Sequence, residues 1–166
     1  MCLRKVYNAV KKGDVPAVTR LLKRGGLDAR NVAANIGFGR DKHTCLTRAA
    51  SQGDVAMISV LLRFGAHVDC RDGRGSTPLH WAAHGGSEAA ATIMLDKGAD
   101  VNAVDDEGDS ALHFAADAGH ASMVKELLER GANPSLRNKL GFTALDDAMY
   151  AGHDTAVAIL REWTGQ

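Results

Sequence analysis

The chain has 166 residues, 45% hydrophobic and 24% charged, which places it among globular chains and excludes a low-complexity or disordered one. Its formal net charge is zero, yet residues 1–74 carry 14 Lys and Arg against 6 Asp and Glu, and residues 75–166 carry the reverse, 6 against 14. No apolar run approaches the roughly 18 residues of a membrane span, residues 1–6 lack the apolar stretch of a signal peptide, and Cys2, Cys45 and Cys70 follow no metal-ligand spacing.

The expectation is therefore a chain with reduced thiols in a cytoplasmic or nuclear compartment, with no membrane partner. Residues 3–12 read as a first helix with Val6, Ala9 and Val10 on its apolar stripe, and Gly13 turns the chain. Asp14 suits the cap of a second helix, with Pro16 in its first turn. Arg4, Lys5, Lys11, Lys12, Arg20, Lys23 and Arg24 stud the outside, the polar face that a terminal unit of a stack needs. Gly25 and Thr44 are 19 positions apart, whereas the matching Gly65 and Thr77 are 12 apart, so an inserted loop is expected at about 26–43.

A second unit, about 39–71, opens its helices at Thr44, with Cys45 and Thr47 where the next unit has proline and histidine. The third, 72–104, carries Thr77-Pro78-Leu79-His80-Trp81-Ala82-Ala83, then Gly86, a helical run through Ile93, Met94 and Leu95, and Gly98. The fourth, 105–137, has Ser110-Ala111-Leu112-His113, and the fifth, 138–166, has Thr143-Ala144-Leu145-Asp146. These units return at a shift of 33 residues: Gly75 falls on Gly108 and Gly141, Leu79 on Leu46, Leu112 and Leu145, and Gly86 on Gly53, Gly119 and Gly152. A fixed period of this length decides the whole architecture. Thr77 is a good helix cap and Pro78 suits the first helical position. Gly86 breaks that helix, and Gly98 ends the next one in a left-handed cap. One unit is helix–turn–helix plus a projecting hairpin finger.

The motif at 77–82, the paired glycines and the period make the chain resemble the ankyrin-repeat family over nearly its whole length. The resemblance implies an all-α solenoid of four to five units forming one domain, 1–166, with an N-terminal cap at about 1–26 and a C-terminal cap at 138–166. It also implies a non-catalytic scaffold that binds another protein. Ala90 and Ala91 stand where the family usually has larger branched residues, so a thinly packed seam is expected there, with Met94 filling part of it.

Candidate chemistry is sparse. His80 and His113 share a column and read as histidines tying their own Thr77 or Ser110 to a neighbouring unit's backbone. His80 and His84 have the spacing of a zinc-protease helix, but Trp81 stands where that motif has its glutamate. No metal and no cofactor is expected. The chain shows no Ser–His–Asp order, phosphate loop or paired deep carboxylates, so no enzyme activity and no small-molecule substrate are expected. The basic half raises anion or nucleic-acid binding as an alternative. Its cations are scattered with little aromatic interleaving, which argues against nucleic acid. Head-to-tail self-association of the basic end on the acidic end is a further alternative.

The family resemblance carries the site. Finger tips and the inner face of each first helix form a concave groove that grips a partner. By position, the tips here are Arg40, Asp41 and His43; Gly73, Arg74 and Ser76; Asp106, Glu107 and Asp109; and Lys139, Leu140 and Phe142. The helix column nearest them is Arg48, Trp81, Phe114 and Asp147, and the next is Ser51, His84, Asp117 and Tyr150. These columns vary from unit to unit while the leucine column does not, the pattern of positions that do not set the fold.

Overall fold

The computed structural model describes residues 2–24 and 43–165, so the inserted loop, with Arg40 and Asp41, lies outside the described residues. The described residues form ten helices: α1 (Cys2–Lys11), α2 (Val15–Arg24), α3 (Cys45–Ser51), α4 (Val55–Arg63), α5 (Pro78–His84), α6 (Glu88–Asp96), α7 (Ala111–Asp117), α8 (Ala121–Glu129), α9 (Ala144–Ala151) and α10 (Asp154–Thr164). Two helices form each unit, and each pair packs on itself. The first helices α1, α3, α5, α7 and α9 then stack in chain order as one layer, and the second helices α2, α4, α6, α8 and α10 as the other. The fold is an all-α solenoid, and among the described residues no helix is long and apolar enough to cross a membrane.

Sequence explains the layers directly. Leu46, Leu79, Leu112 and Leu145 form one buried column, and Ala49, Ala82, Ala115 and Ala148 the small-residue column that lets first helices approach. Each buried leucine contributes about 1.5–3 kcal/mol. The second layer is closed by Met57, Ile58 and Leu61, by Ala90, Ala91 and Met94, and by Met123, Val124 and Leu127. The expected seam is therefore sealed from solvent at its alanines. Large Met57 and Met123 occupy the positions one period either side of Ala90, and all three are buried. The open space on that flank lies farther out, in a shallow depression lined by Leu62, Ala66, Val68 and Ile93.

Each of the three described fingers is a tight turn closed by an Asx side chain, and among the described residues the fingers carry one isolated bridge, Val104 with Ser110, in place of paired strands. The Asp72 carboxylate accepts from the backbone N–H of Arg74 and Ser76, Asp105 from Glu107 and Asp109, and Asn138 Oδ1 from Leu140 and Phe142, all at 2.9–3.1 Å. This local bonding is what short Asp and Asn side chains do in turns. Successive fingers are then joined by backbone: Asp106 N–H donates to Arg74 O at 3.0 Å, and Lys139 N–H to Glu107 O at 2.9 Å.

Candidate functional site in the concave groove

Histidine pins set the frame that holds the inner face. His80 Nδ1 accepts from Thr77 N–H at 3.1 Å, so its Nε2 carries the proton and donates to Asp109 O at 2.9 Å. His113 repeats the arrangement with Ser110 and with Phe142 O at 3.1 Å. Both tie a first helix to the base of the next finger, as their residue types and column predicted. Burial, only partly offset by the Asp109 carbonyl, holds the His80 pKa below its ordinary value. A second set was missed by sequence reasoning. His120 Nε2 donates to His84 O and His153 Nε2 to Asp117 O, each at 2.9 Å. The signal was available: Gly119-His120 and Gly152-His153 lie one period apart.

Those pins position the residues that face the groove. Trp81 donates Nε1–H to Asp72 Oδ2 at 2.7 Å, so the indole is fixed to the finger and offers only its ring. Burial opposes ionisation of Asp72, but hydrogen bonds from His43, Arg74, Trp81 and Ser76 prevail and hold its pKa below the ordinary value. Around Trp81 the rings meet edge to face: His43 at 4.6 Å, Phe114 at 6.1 Å and His84 at 6.2 Å between centroids. Phe114 also meets His84 at 6.2 Å and His80 at 5.2 Å. Such geometry matches the ring quadrupoles and holds the side chains in register. The result is an aromatic strip along α5 and α7.

At one end of the strip Arg48 is half-buried on α3, its Nε without a hydrogen-bond partner among the described residues. At the other end stand carboxylates. Oxygens of Asp109 and Asp147 and a ring nitrogen of His113 lie within 4.8 Å of one another. The His113 nitrogens already serve Ser110 and Phe142, so the group is a structural histidine flanked by acids, not three free metal ligands. Asn138 Nδ2 donates to Asp109 Oδ1 at 2.8 Å and fixes it. Burial pushes the Asp147 carboxyl up to about 6; the His113 ring opposes this, and Asp109, Asp117 and Asp146 add to it.

The remaining expected site residues divide into two groups. Arg74, Asp106, Glu107, Lys139 and Leu140 are exposed on the fingers, and His84, Asp117 and Tyr150 are exposed at the ends of the first helices. Leu140 and Tyr150 are 79% and 87% exposed and Phe142 is 39% exposed, although among the described residues no ring contact joins Phe142 or Tyr150 to the strip. Ser76 is different: it is buried at 0%, not at a tip. Its backbone closes the turn with Asp72, which directs its hydroxyl at Asp105 Oδ2, 3.4 Å away. Asp109 and Phe142 close their turns in the same way, so Ser76, Asp109 and Phe142 mark finger bases, and the tips are Gly73–Arg74, Asp106–Glu107 and Lys139–Leu140.

A family model described as ankyrin repeats (3 copies) matches residues 6–105 and 95–165. No curated protein matches the chain.

Proposed function

The chain belongs to the ankyrin-repeat family, whose repeats are generally protein–protein interaction modules, and from that premise we propose that it is a non-catalytic scaffold binding a partner protein in its concave groove. The single observation that carries this reading is the aromatic strip with its charged ends. Trp81, Phe114 and His84 are held rigid by edge-to-face contacts and by pins from the next unit, yet they keep exposed surface, and the finger tips rise beside them. Rigid aromatic anchors rimmed by charge are the usual makings of an interface hot spot. The division into units at about 39–71, 72–104, 105–137 and 138–166, with an N-terminal cap before the inserted loop, belongs to the same reading. So does a reducing cytoplasmic or nuclear setting, which the free thiols of Cys45 and Cys70 support.

The test is direct once a partner has been captured. Phe114→Ala and Tyr150→Ala should each cost about 1–3 kcal/mol of affinity if they anchor the partner. Glu107→Lys should chiefly slow association and flatten its salt dependence, the effect of a rim charge. Three folded variants that bind like the parent would remove the groove from consideration and direct attention to the loop at 26–43.

A further inference from the structure

The inner column reads, in order along the stack, Arg48, Trp81, Phe114 and Asp147: a cation, two rings and an anion. Beyond Phe114 carboxylates from three elements gather: Asp109 and Asp147 approach each other, and Asp117 adds its like charge to Asp147. Asp109 comes from the finger before α7, Asp117 from the end of α7, and Asp147 from α9. Asp106 and Glu107 rise exposed above them. Arg137 is already engaged: it donates to Gly141 O at 2.7 Å and lies 3.9 Å from Asp146. His113 is held by its two pins. We propose that the partner enters the groove as a linear protein segment whose lysine or arginine seats among Asp109, Asp117 and Asp147, with its aliphatic stem lying along Phe114. The proposal rests on the groove reading and adds the partner's chemistry to it.

Charge complementarity favours this occupant over an acidic one. Asp109 and Asp117 act on half-buried Asp147 as like charges, and a guest cation relieves that repulsion while an apolar or acidic guest does not. The aromatic floor suits the same guest, because a cation near a ring face is attracted and its methylene stem is apolar.

A proton count follows from the occupancy. Asp147 meets His113 and Asp117 from α7, Asp109 from the preceding finger and Asp146 from its own helix; α10, also packed on α9, carries exposed Asp154, Arg161 and Glu162. With its carboxyl up at about 6, Asp147 is mostly neutral at pH 5 and mostly ionised at neutral pH. A cationic guest needs the ionised form. About one molecule in ten is competent at pH 5, so the apparent affinity should fall about tenfold there.

The probe is a random dodecapeptide library displayed on phage and panned on the full chain near pH 7.5, with Phe114→Ala as the counter-selection. Peptides dependent on the groove should be enriched in Lys or Arg. As synthetic peptides they should bind about tenfold more weakly at pH 5 than near pH 7.5, and Asp147→Asn should remove most of that difference. Groove-dependent peptides without cationic enrichment, or with the same pH profile on Asp147→Asn, would overturn the basic partner and leave the groove reading standing. No groove-dependent peptide at all, from folded protein, would overturn both. Concentration-dependent self-association blocked by Asp147→Asn would assign the pocket to a basic segment of a second copy instead, against a separate partner.

Discussion

At the residue scale the histidines and the inner aspartate make opposite contributions. His80 is neutral in the fold, its Nδ1 accepting from Thr77 N–H, while Asp109 O accepts from Asp105 N–H at 2.9 Å as well as from His80 Nε2. His80→Ala should leave the buried Thr77 N–H unsatisfied, at about 1–3 kcal/mol, read as a lowered melting temperature. Because the His80 pKa is depressed on folding, the unfolded chain takes up the proton first as pH falls. This stability is therefore present above about 6.5, the unfolded value, and is lost as pH falls below it. Asp147 works the other way. Its folded value of about 6 lies above the ordinary carboxyl value of 3.8, so between those values the folded state holds the extra proton and stability falls as pH rises. Asp147→Asn should thus melt higher than the parent above about pH 6, with the advantage disappearing toward pH 4, in paired thermal scans. An advantage that is equal at both pH values would mean that the carboxyl is not perturbed. A residue that costs stability at neutral pH while facing a groove is better explained by binding than by folding.

At the element scale the turn between the helices of a unit is held by contact with the following unit. Gly119 has φ +73°, and a Cβ there would meet the His153 ring at 2.6–2.8 Å; Gly152, at φ +76°, has nothing within 4 Å. Both alanine variants incur the left-handed cost of about 1–2 kcal/mol. Gly119→Ala must also displace the pin to Asp117 O, so it should lose clearly more stability than Gly152→Ala in denaturant titrations. Equal losses would show that the histidine ring moves aside at no cost. The same elements show what the sequence could and could not reveal. The helices, their caps and the leucine column were legible because each rests on local residue type repeated at a fixed period. The His80 and His113 pins were legible for the same reason. The burial of Ser76 was not, because its column alternates between His, Ser, Asp and Phe, and only the hydrogen bonds closing the turn place it at the finger base. The cluster of Asp109, His113 and Asp147 was also hidden. Its members come from a finger base and two helices, and their approach depends on how adjacent units stack. The sealed alanine seam at Ala90 depends on the methionines one unit away on either side, which a single-unit comparison ignores.

At the scale of the whole molecule, the charge bias of the two halves becomes a bias along the stack, since successive first helices follow chain order. Residues 1–74 carry an excess of 8 positive charges and residues 75–166 an equal negative excess, from 14 against 6 and 6 against 14. Such a molecule should associate end to end at low salt, and screening within about 8–10 Å should dissolve the contact at physiological salt. The contact is heterologous, so it would extend into chains and not close as a dimer. Sedimentation at high protein concentration checks this: mass rising only at low salt supports it, and a monomer at both salts removes self-association. The central claim is that a partner protein lies across the inner face of the third to fifth units, over the aromatic strip and its acidic end. Hydrogen exchange of the chain with and without its captured partner tests it most directly. The account predicts added protection at residues 73–84, 106–117 and 139–150, with little change along α4, α6 and α8; protection confined to those second helices, with the fingers and first helices unchanged, would contradict it.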